Sequence, residues 1–293
     1  MVERTIVLST SLFSFMNKLI IHCIVIILSF SSFKTLGQLN GGLIITPKRV
    51  VFEGRQTKKI ITLINSSDET STYTVSFTEN RMNEDGSFTS ITAPDIGQLF
   101  ASPYIRIYPR QVTLNPGETQ SVMLQHRRMS NVKTGEYRSH LYFRTEKNKT
   151  LLGEDKKKDS IEVFSVNITP IFGISIPVII RSVGLSVTTT ISDIKLHNIE
   201  SPKLTFILHR KGNRSIYGDI AVTYYPIKGK SFKIAALKGV GLYTTIEKRF
   251  MSLKLKGLSE INLKEGSIKI EFTSRPGNKK QESYAEAELL LTD

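Results

Sequence analysis

The stretch Phe164-Ser-Val-Asn-Ile-Thr-Pro-Ile-Phe-Gly-Ile-Ser-Ile-Pro-Val-Ile-Ile-Arg181 limits the fold more than any other part of the chain. Its even positions from Phe164 to Ile180 are all apolar, and Ser165, Asn167, Thr169, Gly173 and Ser175 stand between them. Apolar residues at period two describe a β-strand with one apolar face. Strands usually run about 3–10 residues, so this ribbon is roughly twice the common length. It also holds Pro170 and Pro177, which belong on an edge strand or at a bulge because proline has no N–H for the ladder. Length, alternation and prolines together predict an exposed strand edge with an apolar face.

Period two continues on both sides of the ribbon. Strands are expected at 43–46, 50–53, 58–65, 72–79, 105–108, 119–127 and 135–145, and then the ribbon itself. Turn chemistry separates them at Asn65-Ser-Ser-Asp68, Glu84-Asp-Gly-Ser87 and Asn115-Pro-Gly117. A second series covers 185–191, 203–209, 218–225, 232–237, 241–248, 250–255, 267–273 and 285–291. No segment has a sustained helical stripe. The expected fold is all-β, with two immunoglobulin-like β-sandwiches in tandem. The expected bounds are 38–181 and 185–293, with 182–184 as a short linker. Tyr137, just inside a strand, reads as a tyrosine corner.

Residues 1–37 are different. Lys18 precedes a mostly apolar run, Leu19–Phe33, and Thr35 and Gly37 supply small residues before a cut. That architecture is a secretory signal peptide, with Met16 the start that suits it best. The apolar run is shorter than the roughly 20 residues needed to span a bilayer. The single cysteine, Cys23, lies inside this segment, so the mature chain is expected to lack disulfides. Removing Arg4, Lys18, Lys34 and Glu3 with it takes the net charge from +14 to +12, which favours acidic partners or anionic surfaces. A nucleic-acid role is disfavoured by export and by the lack of a basic motif studded with aromatics.

Catalysis has no visible apparatus. His126, His140, His197 and His209 stand outside metal-ligand spacings, and nucleophile elbows and phosphate loops are absent from the sequence. No catalytic residue, metal or cofactor is expected, and the chain is not read as an enzyme. Two other classes compete with a binding edge: an exported two-domain adhesin or carbohydrate-binding module, and a structural fibre subunit. Absence of tryptophan weighs against the first, and the short, glycine-rich Gln38–Leu43 segment weighs against the second.

Three stretches resemble the N-terminal domain of the periplasmic chaperones of chaperone–usher pilus systems, the PapD-like family. They are Pro47-Lys-Arg-Val-Val-Phe-Glu-Gly54, Val112-Thr-Leu-Asn-Pro-Gly-Glu-Thr-Gln-Ser-Val122 and Gly135-Glu-Tyr-Arg-Ser-His-Leu-Tyr-Phe-Arg144, the last leading into the ribbon. Order and spacing agree over about 140 residues. Arg210-Lys-Gly-Asn-Arg-Ser-Ile-Tyr-Gly-Asp219 is the corresponding candidate signature of the second half. The resemblance implies a periplasmic chaperone that caps pilus or surface-fibre subunits by lending an edge strand, with Ile168, Phe172, Ile174, Ile176 and Val178 as the subunit-binding edge. It implies as partners the subunits themselves, an outer-membrane usher and a second copy of the chain covering the edge when idle. It also implies a carboxylate anchor made of an arginine and a lysine. Arg49 fits the arginine, while Pro177 occupies the lysine position, leaving Lys48 and Arg181 as substitutes to weigh.

Overall fold

The structure, a computed structural model, describes residues 42–127, 133–146, 173–197, 202–256, 263, 265–275 and 281–291. The signal segment, Ile168 and Phe172 lie outside the described residues. Strands β1 (Leu43–Thr46), β2 (Val50–Glu53), β3 (Lys58–Asn65), β4 (Ser71–Thr78), β5 (Asn80–Met82), β6 (Phe88–Ser90), β7 (Ile105–Tyr108), β8 (Gln111–Leu114), β9 (Thr119–His126), β10 (Glu136–Thr145) and β11 (Gly173–Arg181) build the first sandwich. One sheet has the order β1-β3-β9-β7 and the other β2-β11-β10-β4-β8. Alternation decides which side chains meet between them. Ile61 and Leu63 of β3, Val122 and Leu124 of β9, Leu141 and Phe143 of β10, and Ile176, Val178 and Ile180 of β11 share one buried cluster.

Two local devices tie this sandwich together. Asn65 is buried yet fully bonded: its Nδ2 donates to the carbonyls of Glu69 (2.7 Å) and Leu114 (3.0 Å), and its Oδ1 accepts from Ser67. A buried amide left without such partners would be costly. The Tyr137 hydroxyl donates to the Lys133 carbonyl at 2.6 Å, closing a tyrosine corner against Tyr104.

The second sandwich comprises β12 (Val187–His197), β13 (Lys203–Gly212), β14 (Ile216–Tyr225), β15 (Phe232–Leu242), β16 (Lys248–Lys254), β17 (Gly266–Ser274) and β18 (Ser283–Leu291). Its sheets run β12-β13-β16 and β15-β14-β17-β18 around a separate core centred on Leu204, Phe206, Val222, Ile268, Ile270 and Phe272. The fold is therefore all-β, two immunoglobulin-like sandwiches in tandem, and the described residues contain no α-helix.

One expected pair of strands differs. Residues 232–237 and 241–248 do not form two strands; β15 continues unbroken to Leu242 and pairs with β14 across register shifts. The irregularity absorbs Lys238-Gly239, where Gly239 adopts a positive φ of 76°, so the glycine-rich stretch bends a strand instead of ending it. Residues 243–247 then form the connection, and β16 starts at Lys248.

Candidate functional site: a free strand edge beside a cationic cleft

β11 lies against β10 along its whole described length, from Glu136↔Arg181 to Arg144↔Gly173. Its other side is covered only in part. β2 joins it in parallel from Val178↔Val50 to Arg181↔Glu53. Among the described residues, Gly173–Pro177 pair with β10 alone and leave the opposite edge of the strand open. Pro177 is the last residue before the β2 pairing begins, at the point where an absent N–H is tolerated.

The predicted edge residues divide by position. Ile176 (3% exposed) and Val178 (0%) are part of the first core, and Ile174 is half-buried against it. Ile179, on the other face of the strand, is buried with Met82 and with Tyr243 of the second sandwich. Thus both faces of the β11 C-terminal half are covered, while among the described residues one edge of its N-terminal half has no strand beside it.

Arg49, in the β1–β2 connection, reaches across to the second sandwich. Its Nη1 donates to the Tyr243 hydroxyl (3.1 Å) and its Nη2 to the Ser215 Oγ (3.3 Å), and its guanidinium stacks 4.6 Å from the centre of the Tyr217 ring. Ser215 and Tyr217 come from the 210–219 stretch. The hydrogen-bond partners of Arg49 are neutral hydroxyls, so its charge is solvated by dipoles and aromatic faces.

Arg138 stands on the outward face of β10, beside the position of Ile179. It is 4% exposed, lies 4.0 Å over the Tyr243 ring, and donates Nη2 to the Asn80 carbonyl at 3.0 Å. Its Nη1 is buried without a hydrogen-bond partner among the described residues. Burial pushes this guanidinium below its ordinary pKa and Arg49 adds to the effect, against the pull of Tyr243, Glu136 and Glu79. Two cations therefore share one tyrosine in the cleft between the sandwiches. Nothing in the local sequence marks Arg138, Ser215, Tyr217 or Tyr243 as site residues. The only signal was charged residues at alternate outward positions of β10, which normally means a solvated face.

Of the substitutes weighed for the missing lysine, Arg181 is engaged elsewhere. Its Nε donates to Glu136 Oε2 (2.8 Å), its Nη1 to Glu53 (2.6 Å) and its Nη2 to the Ser215 carbonyl (3.3 Å). Burial disfavours its charge, but Glu136 and Glu53 outweigh that and raise its pKa. Glu136 Oε2 also accepts the Ser215 amide at 3.0 Å, joining the two sandwiches through one carboxylate. Lys48 is exposed.

His140 faces Pro177 across the β10–β11 ladder and packs edge-on against Phe88, 5.1 Å between ring centres. Burial, with Arg138 and Arg49 nearby, lowers its pKa from 6.5 to about 3. The unfolded chain therefore takes up this proton first. The stability contributed by neutral His140 is complete above about pH 6.5 and falls as the pH drops toward about 3, by up to about 1.4 kcal/mol per pH unit. Replacing His140 with glutamine is expected to make the acid limb of urea unfolding midpoints shallower by one proton across that window.

The β5–β6 hairpin covers the cleft from outside. Phe88 lies against His140 and Tyr243, and at the hairpin tip the Glu84 carbonyl accepts the Phe250 amide at 2.7 Å. Lys248 pairs with Glu84 at 3.6 Å. Gly86 is favoured there because its φ of 88° would strain any residue with a side chain. Gly86→Ala is expected to lower stability by about 1–3 kcal/mol. Faster hydrogen exchange at the Phe250 amide would show that the tip had lifted.

No protein-family description matches the chain, and no curated protein matches it. Among solved structures it is similar to the YadV chaperone, with a TM-score of 0.45 and 12% identity over 85% of this chain and 100% of that one. It is similar to a chain of the CsuC–CsuE chaperone–tip adhesion subunit pre-assembly complex from the archaic chaperone-usher Csu pili of Acinetobacter baumannii. There the TM-score is 0.44 and identity 11%, over 83% of this chain and 98% of that one. The E. coli chaperone DraB gives 0.41 and 10%, over 82% and 94%.

Proposed function

We propose that this protein is a divergent PapD-like periplasmic chaperone that binds and caps subunits of a pilus or other surface fibre by lending them the open edge of β11. The observation that carries the reading is the half-covered strand: Val178–Arg181 is clamped between β2 and β10, while among the described residues Gly173–Pro177 pairs with β10 alone. Such an edge is a template for strand addition, and proteins normally hide it. Ile176 and Val178 fasten the strand in the core. Ile174 and, along the same sequence alternation, Phe172 and Ile168 present apolar side chains to the subunit. Burying these three side chains gains roughly 5–9 kcal/mol, offset by association costs of about 4–15 kcal/mol, which suits a reversible cap.

Arg49 serves as the anchor for a subunit carboxylate. Arg138, sharing Tyr243 with it, supplies the second positive charge that Pro177 cannot. Arg49→Ala is expected to weaken subunit binding by about 2–5 kcal/mol, read by calorimetric titration, with a smaller loss of stability from its contacts to Tyr243, Ser215 and Tyr217. The subunit is obtained by co-purifying the mature protein from its host periplasm and identifying what accompanies it. Recovery of no exported fibre subunit, or unchanged affinity in the Arg49 variant, would overturn the respective part of this reading.

A further inference from the structure

At the end of the second sandwich away from Ser215 and Tyr243, the strand termini and the β14–β15 hairpin carry four exposed large apolar side chains, Tyr225 and Leu290 on one face of the sheet and Phe232 on the face it shares with Tyr224. Ile227 (69% exposed) tips the β14–β15 hairpin, with Tyr225 and Phe232 at its base. Leu290 (71%) lies two strands away, aligned with Tyr225 through Ser267. Lysines crowd the same end. Lys228, Lys230 and Lys233 belong to the hairpin, and Lys203 and Lys254 face each other directly across β13 and β16. Lys256 is held beside β15 by its backbone N–H, which donates to the Ile234 carbonyl at 2.9 Å. All six are exposed, and none forms an ion pair among the described residues. Among the described residues the nearby carboxylates are Glu265 and Glu288, the latter opposite Lys269.

Like charges directly opposite on neighbouring strands destabilise a sheet, so the Lys203–Lys254 pair is a cost that the fold itself does not recover. An anionic surface would relieve it. Every cation here is lysine and none is arginine, although protein–protein interfaces favour arginine and deplete lysine. Lysines around protruding isoleucine, phenylalanine and tyrosine side chains suit a lipid surface, where the charges meet headgroups and the apolar tips enter the boundary layer. We infer that this end of the second sandwich is a peripheral docking surface for membranes carrying anionic lipid, separate from the β11 edge.

Sedimentation of the mature protein with vesicles of phosphatidylcholine, with and without phosphatidylglycerol, tests this. The wild type is expected to sediment with the phosphatidylglycerol vesicles alone and to be released by high salt. Lys228→Glu with Lys230→Glu, on an exposed turn, should lower partitioning about tenfold or more. Ile227→Ser should lower it several-fold while salt sensitivity persists. Circular dichroism and melting checks that both variants are folded. No binding to anionic vesicles, equal binding to neutral ones, or unchanged binding by the folded double-lysine variant would overturn the inference.

Discussion

Replacing Ile176 with alanine is expected to lower the unfolding free energy by about 2–5 kcal/mol, as for other large truncations in a packed core. Ile176 is paired in register with Leu141, which is itself fully buried, and both belong to the cluster that includes Phe52, Val75 and Phe143. Removing its side chain beyond Cβ leaves a void between two sheets whose strands are locked by their ladders, so little collapse can fill it. Urea unfolding should show a lower midpoint at unchanged slope. A shift smaller than about 1 kcal/mol would mean that the site relaxes or that the side chain is free. The same residue belongs to the proposed binding strand, so loss of capture in an Ile176 variant would not separate binding from folding. Ile174, only half-buried, is the better probe: serine there should weaken capture at a smaller cost in stability.

A second large effect is expected at Arg181. Arg181→Ala would leave Glu136 buried at the junction of the sandwiches with the Ser215 amide still bonded to it and its main countercharge gone. Breaking a buried pair from one side typically costs about 3–5 kcal/mol, because the remaining charge is uncompensated. Removing both charges together is different: Glu136→Leu with Arg181→Met should recover much of that loss, since well-packed apolar replacements of buried pairs are often neutral. The exposed Arg81–Asp95 pair is a useful contrast. Arg81→Ala should cost no more than about 1 kcal/mol, the range for surface ion pairs. Chemical denaturation of the three variants, read by tyrosine fluorescence, would rank them. If Arg181→Ala cost no more than Arg81→Ala, the junction would not depend on this pair.

Much of the fold was legible because period two is a local property of the chain. The strands at 43–46, 50–53, 58–65 and 105–108 occur where alternation placed them, and the rest of the first sandwich differs mainly at its ends. The short β5 and β6 carried too few alternating positions to read, and β8 (Gln111–Leu114) was not expected as a strand. The 238–239 bulge was misread as a break because a glycine that ends a strand and one that bends it have the same local signature.

The sequence by itself determined that this is an all-β chain whose ribbon has one apolar face, a cationic residue at Arg49 and no charge at Pro177. It could not say which neighbour covers that face or that edge. Ile174, Ile176 and Val178 look alike in the alternation, yet the sandwich buries the last two and leaves the first half-open. Arg138 and His140 look like a solvated strand face, yet Tyr243, more than a hundred residues later, and the β5–β6 hairpin cover them. Alternation specifies only the two sides of one strand. Burial, pairing and the company of charges depend on contacts between residues far apart in sequence, and only the tertiary structure brings those residues together.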